Sequence, residues 1–251
     1  KRRSRGPGIR TPARATTSDT ITAMTSRPHV GTLREKPLHA ALKRWYAEDG
    51  DRIEVPVDGF VIDLVRDDVL IEIQTRGFSG MKSKLARLLE DHAVRLVHPV
   101  PAGKWIVRLG DGGEILSRRR SPKRGSAVDL FAELVSFPGL IAHPGLTLEV
   151  LLVHEEEIRR HEEGKAWRRK GWVVVERRLL EVVDRIVFDS PSALAGLLPD
   201  GLPGEFTTAD LAAALGRPRR LAQQVTYCLR EAGALVITGK DGNALVYGRT
   251  G

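Results

Sequence analysis

Asp63 and, after eight intervening residues, Glu72-Ile73-Gln74 form the constellation in this sequence best suited to holding a cation. Residues 59–65 and 69–74 are rich in Val and Ile and read as two strands, with Asp67-Asp68 as the turn between them. A two-residue turn there pairs Arg66 with Val69 and sets Asp63 opposite Glu72. Opposed residues share a sheet face, with side chains near enough to grip one ion. Gln74 falls on that face by strand alternation, while Ile62, Leu64, Ile71 and Ile73 fill the other. Val61, Val65 and Leu70 share the acids' face, which argues against the alternative of two solvated acids on an exposed hairpin.

Two carboxylates and an amide among β-branched residues are costly to bury without compensation. Mg²⁺ or Mn²⁺ would supply it, through oxygen ligands, retained waters and a substrate phosphate. Such an ion can activate water for in-line attack on a phosphodiester.

The order helix, strand, Asp-bearing strand, Glu-x-Gln-bearing strand, helix resembles the core of the PD-(D/E)XK, or restriction-endonuclease-like, nucleases over residues 32–109. The resemblance implies that Asp63 and Glu72 are the metal-binding acids and that Gln74 occupies the position usually held by Lys. Gln carries no cation, so Lys84 (or Lys82) on the following helix is the expected substitute, as in some relatives. The first strand also lacks the family's Pro-Asp pair. Glu35 matches the extra first-helix acid of several subfamilies, with His39 one turn on. Thr32-x-x-Glu35 equally fits a capping box.

Several elements must position these groups. Leu38, Ala41, Leu42 and Trp45 mark one face of a first helix, with Pro37 in its opening turn, and residues 53–57 read as a strand. Met81, Leu85, Leu88 and Leu89 predict a helix over 81–92, followed by strands at 94–97 and 105–109. Residues 117–126 read as a basic loop, 127–135 as a helix and 147–154 as a strand. The charged stretch 155–170 has helical composition, 171–176 reads as a strand, and 179–189 is an element of undefined type. His154 and His161, with six residues between them, lack zinc-protease spacing.

Residues 199–204 (PDGLPG) read as a linker within a separate C-terminal module. Ser190 caps a helix, Phe206 sits on a short strand, Thr207 or Thr208 caps a second helix, and a third runs from Pro218 to Ala232 before Gly233. A hairpin around residues 239–243 completes the order. It resembles a winged helix-turn-helix. That resemblance implies a third helix seated in a DNA groove, with Arg217, Arg219, Arg220, Gln223 and Gln224 at bases or phosphates and Lys240 on the wing. The module holds six Lys/Arg against four acids over 204–251, so a protein partner is the competing expectation.

The whole chain has 251 residues and a formal charge of +8, but residues 1–30 hold seven Lys/Arg against the single acid Asp19. Net charge alone therefore does not identify a nucleic-acid surface on the folded part. That segment, poor in apolar residues, is expected to be a disordered basic tail, and Met24 is the expected biological start. No segment has the length of a membrane span or the pattern of a signal peptide, and the lone Cys228 excludes an internal disulfide. A cytoplasmic setting is expected.

Together these readings predict an α/β (α+β) chain: a tail over 1–30, a restriction-endonuclease-like mixed sheet flanked by helices over 31–189, and a small winged-helix domain over 190–251. The expected function is a metal-dependent DNA endonuclease. Its alternative is a catalytically inactive DNA-binding protein on the same fold. DNA is the expected partner, with a homodimer needed if both strands are cut symmetrically.

Overall fold

The computed structural model describes residues 36–250. Glu35, Thr32 and the basic tail lie outside the described residues. Helix α1 (Pro37–Tyr46) opens on Pro37 and buries Leu38, Leu42 and Tyr46, one residue from each successive turn. Tyr46, not Trp45, completes the buried stripe; Trp45 is 48% exposed. The spacing of 38, 42 and 46 fits the helical repeat more closely than the sequence expectation did.

Strands β1 (Arg52–Val57), β2 (Phe60–Arg66) and β3 (Val69–Ile73) form an antiparallel meander. A 3-10 turn (Phe78–Gly80) then leads into α2 (Lys82–Leu88), shorter than the expected helix, which buries Leu85 and Leu88. Strand β4 (Ala93–Leu109) runs parallel to β3 and then to β6 (Leu146–His161). β5 (Ile115–Arg120) pairs antiparallel with the far half of β4, and β7 (Trp172–Phe188) with β6. The resulting seven-stranded mixed sheet has the path β1-β2-β3-β4-β6-β7, with β5 beside β4. Short 3-10 and α segments, including α3 (Phe131–Leu134), cover one face, and α1 covers part of the other. The class is α+β, a mixed sheet flanked by helices.

Three expectations are corrected. Residues 94–97 and 105–109 belong to a single strand, although Pro99 and Pro101 lie between them. Those prolines fall after β4 leaves β3 at Val97 and before it meets β5 at Trp105, so no ladder on that edge needs their missing N–H groups. Residues 155–161 are strand, not helix, and His154 and His161 sit on β6. Buried Glu155 and Glu157 face Lys104 of β4, and Glu156 pairs in register with Arg178 of β7, so cross-strand partners override a helical composition. Arg118, Arg119 and Arg120 belong to β5 rather than to a loop, since they face Val107, Ile106 and Trp105 of β4.

The β6–β7 ladder shifts register three times. Each shift leaves out one residue of β7, namely Val183, Leu180 and Val175, and all three are exposed. Tyr46 fastens α1 to this ribbon: its hydroxyl donates to buried Glu149 (2.7 Å), which also accepts from Arg185 Nη2 (3.1 Å).

After α4 (Pro191–Ala195), capped by Ser190, come β8 (Glu205–Thr207), α5 (Thr208–Leu215), α6 (Arg219–Glu231), β9 (Leu235–Asp241) and β10 (Ala244–Arg249). Thr207 and Asp210 form a reciprocal capping box on α5, which Gly216 ends at φ 60°. The small sheet has the order β8-β10-β9. Leu221, Val225, Cys228 and Leu229 of α6 belong to the same buried cluster as Phe131, Leu134 and Phe137, so the C-terminal segment and the large sheet share one core.

Candidate functional site

The turn at Asp67-Asp68 sets the register of β2 against β3. Arg66 faces Val69, Val65 faces Leu70 and Leu64 faces Ile71. The paired residues end there. Beyond them the Ile73 amide donates to Asp63 Oδ2 (2.8 Å), so the Asp63 side chain satisfies a β3 amide where the backbone ladder stops. His39 Nε2 of α1 lies 3.1 Å from the same oxygen.

Glu72 is buried on β3, and Lys84 Nζ from the first turn of α2 donates to its Oε1. The same ammonium donates to the Val61 carbonyl (3.1 Å), which fixes it over the hairpin. Burial pushes the Glu72 carboxyl up to about 7, against the pull of Lys84, and the charge of Asp63 adds to the rise. For Asp63, burial also works upward, but the His39 contact, the Ile73 amide and the charge of Lys43 outweigh it and hold the carboxyl low. The two acids therefore sense each other yet differ in proton affinity, the pattern expected of a working carboxylate pair.

The structure joins Glu72 to Lys84 of α2 and Asp63 to His39 of α1. The expected opposition of Asp63 and Glu72 is not part of the ladder, which ends at Leu64 and Ile71, and the charge of Asp63 reaches Glu72 without a direct contact among the described residues. Gln74 is committed elsewhere: its amide donates to the Gly77 carbonyl (3.0 Å) and its backbone N–H to Val97 (2.8 Å). The strict face assignment also needs correction. Ile62 packs with the α2-side core while Leu64, Ile71 and Ile73 pack against α1, and Val61 is 62% exposed. The break coincides with Glu54 of neighbouring β1, which sits at φ 53° between the paired residues Ile53 and Val55.

Sequence reasoning missed Lys43 and Glu54, which are joined at 2.8 Å beside the acids. Lys43 follows His39 by one helical turn, a spacing that marks the same face. Glu54 carried no comparable signal.

Among the described residues, no group of three or more His, Cys, Asp or Glu gathers as a metal cage. A pair of carboxylates is the donor set on hand, and it fits an ion that keeps several waters and completes its shell with substrate. Hydrogen bonds among the described residues engage Asp63 Oδ2 and Glu72 Oε1.

On α6, Arg219, Arg220 and Gln223 are exposed, as is Lys240 on the β9–β10 hairpin; Gln224 is half-buried. Arg217 departs from its expected role. Its guanidinium binds Asp129 (2.7 Å) and Ser126 (3.0 Å), tying the C-terminal segment to the large sheet's helical cover. A groove of about 310 Å³ between α6 and β10 is lined by Arg219, Gln223, Tyr227, Arg230 and Asn243. Tyr227 and Arg230 escaped the sequence reading, although 219, 223 and 227 follow at one-turn steps.

No helix among the described residues is long and apolar enough to cross a membrane. A family described as a domain of unknown function (DUF8091) matches residues 36–189. An uncharacterized protein of Treponema pallidum (strain Nichols) is 35% identical over 184 residues, 73% of each chain. No solved structure matches.

Proposed function

The chain belongs to the DUF8091 family, and we propose that it is a Mg²⁺- or Mn²⁺-dependent DNA endonuclease of restriction-endonuclease-like fold. The observation that carries this reading is buried Glu72 on β3, bound by Lys84 of α2 and within reach of the Asp63 charge on neighbouring β2. The motif's cation is missing at Gln74, and Lys84 supplies one from the next helix.

Asp63 and Glu72 would hold the ion, which when bound would polarise a water and neutralise phosphate charge. His39 and the Ile73 amide orient Asp63. Lys84 orients Glu72 and offers a fixed positive charge where a phosphodiester gains negative charge on attack. Glu72, whose carboxyl sits near neutral pH, is suited to exchange a proton there.

The C-terminal segment supports a winged-helix reading by its order of elements and its β8-β10-β9 sheet. In that reading α6 enters a DNA groove with Arg219, Arg220 and Gln223 foremost and Lys240 at phosphate. Cutting both strands symmetrically would require a second copy, and the site of action would be cytoplasmic.

One observation favours the non-catalytic reading, a DNA-binding protein on a retired nuclease fold: the Gln74 amide is tied to Gly77 and not to the acids. Plasmid incubated with Mg²⁺ or Mn²⁺, beside Asp63→Ala, separates the two. Cleavage abolished in Asp63→Ala is the expected result. Absence of cleavage in the parent, or its persistence in the variant, removes the endonuclease assignment.

A further inference from the structure

Where β3 ends, the chain enters the wall of a cleft of about 810 Å³ on the sheet face formed by the far halves of β4, β6 and β7. Thr75, next to Gln74, is part of that wall. Its charges are unevenly matched. Every acid in the lining already has a partner: Asp129 binds Arg217, Glu133 accepts from the Phe78 amide, Glu157 binds Lys104 and Arg159, and Glu176 binds Arg178. Arg76, Lys123, Arg169 and Arg177 line the same cleft and make no ion pair among the described residues. Four guanidinium or ammonium groups from four separate segments therefore face a common space in which Glu133 alone among the lining acids has no cationic partner among the described residues. A polyanion is what such a space is built to take.

The 3-10 turn that places Arg169 in the lining, Trp167–Arg169, also carries Trp167, which is 79% exposed. Trp105 and Trp172 on the strands are less exposed, and each lies against guanidinium groups of neighbouring strands or of its own sheet, Arg118 and Arg120 on the first and Arg108 on the second. Among the described residues, Trp167 has its neighbour Arg168 over its ring at 5.0 Å, and the rest of the ring is open to solvent. An open indole beside a cationic channel is the pairing by which proteins hold unstacked bases over a tracked backbone.

We infer that this cleft binds single-stranded DNA, its backbone along Arg76, Lys123, Arg169 and Arg177 and one base stacked on Trp167. The choice of DNA among polyanions rests on the endonuclease reading, but binding does not require that Asp63 or Glu72 be active. The strand would then be led toward the end of β3 that carries the acids. A duplex offers no free base face to Trp167, so the cleft should prefer an open strand.

The test is fluorescence anisotropy of a labelled oligothymidylate and of a labelled hairpin duplex, in EDTA, with the full chain. Arg76→Gln/Lys123→Gln/Arg177→Gln should raise the single-strand Kd at least tenfold and reduce the slope of log Kd against log salt by about 2. Trp167→Ala should weaken the single strand by about fivefold or more and leave the duplex unchanged. Asp63→Ala should bind like the parent, so loss of cleavage with retained binding separates failure of the endonuclease reading from failure of this one. Circular dichroism matching the parent guards against misfolding, and if the triple variant unfolds, single Arg76→Gln and Arg177→Gln variants take its place. Unchanged single-strand affinity in folded charge variants overturns the inference. Equal or tighter duplex binding, lost in parallel, overturns the single-strand assignment.

Discussion

Lys84 on α2 donates to Glu72 on β3, a contact between residues twelve apart that brings an ammonium to the acid pair from the helix rather than from the strand. A cation at the motif position would share the acids' strand. Here Gln74 is turned to Gly77, and in the proposed endonuclease the helix that follows would supply the charge.

Lys84→Ala should therefore lower metal-dependent cleavage by about 10²-fold, the usual cost of removing one oriented electrostatic group. Lys84→Arg should recover part of it, and Gln74→Ala should change it by much less. Plasmid nicking rates at saturating Mg²⁺ check the ranking. Equal loss in Gln74→Ala would return the missing role to the strand.

Glu72 makes the metal-free protein's stability fall as pH rises. The folded chain holds this proton up to about 7, whereas the ordinary value is 4.5. Between these limits the folded state binds more protons than the unfolded one, so stability declines through that window and levels off above it. The contribution approaches about 1.4 kcal/mol per pH unit at its steepest. Glu72→Gln should flatten the profile in thermal melts recorded in EDTA from pH 4.5 to 8; an unchanged slope would place the proton elsewhere.

Arg217 and its neighbours on α6 should separate into structure and binding. Arg217→Ala removes bonds to Asp129 and Ser126 and should cost about 1–3 kcal/mol of stability with little change in DNA affinity. Arg219→Ala/Arg220→Ala should do the reverse, since both side chains are exposed. Melting curves and gel shifts on the two variants decide it.

Cys228 is buried in the shared core and its thiol is pushed up to about 12, chiefly by burial. It should resist thiol reagents in native buffer and react fully in guanidinium. Rapid native labelling would mean that α6 separates from the α3 region readily.

The hairpin and its turn-proximal register were legible because a two-residue turn admits one pairing, but the ladder stops at Leu64 and Ile71, short of the expected opposition of Asp63 and Glu72. Lys84 was legible because it lies on the next element. What failed depended on distant partners. Residues 155–161 look helical until β4 and β7 supply counter-charges, and Arg217 looks like a DNA contact until Asp129, 88 residues away, is placed beside it. His39 reached Asp63 across 24 residues, a meeting that no spacing rule encodes. The break in alternation at Ile62 likewise coincides with Glu54 on the neighbouring strand, outside any pattern in β2 itself.

Strand β7 is the outermost member of the long sheet, and an outer strand of such length would ordinarily invite another chain to add itself alongside. Its extra residues at Val175, Leu180 and Val183 interrupt the free amide and carbonyl row into short runs that a straight incoming strand cannot match. The margin of the sheet is thereby closed to recruitment without a covering helix.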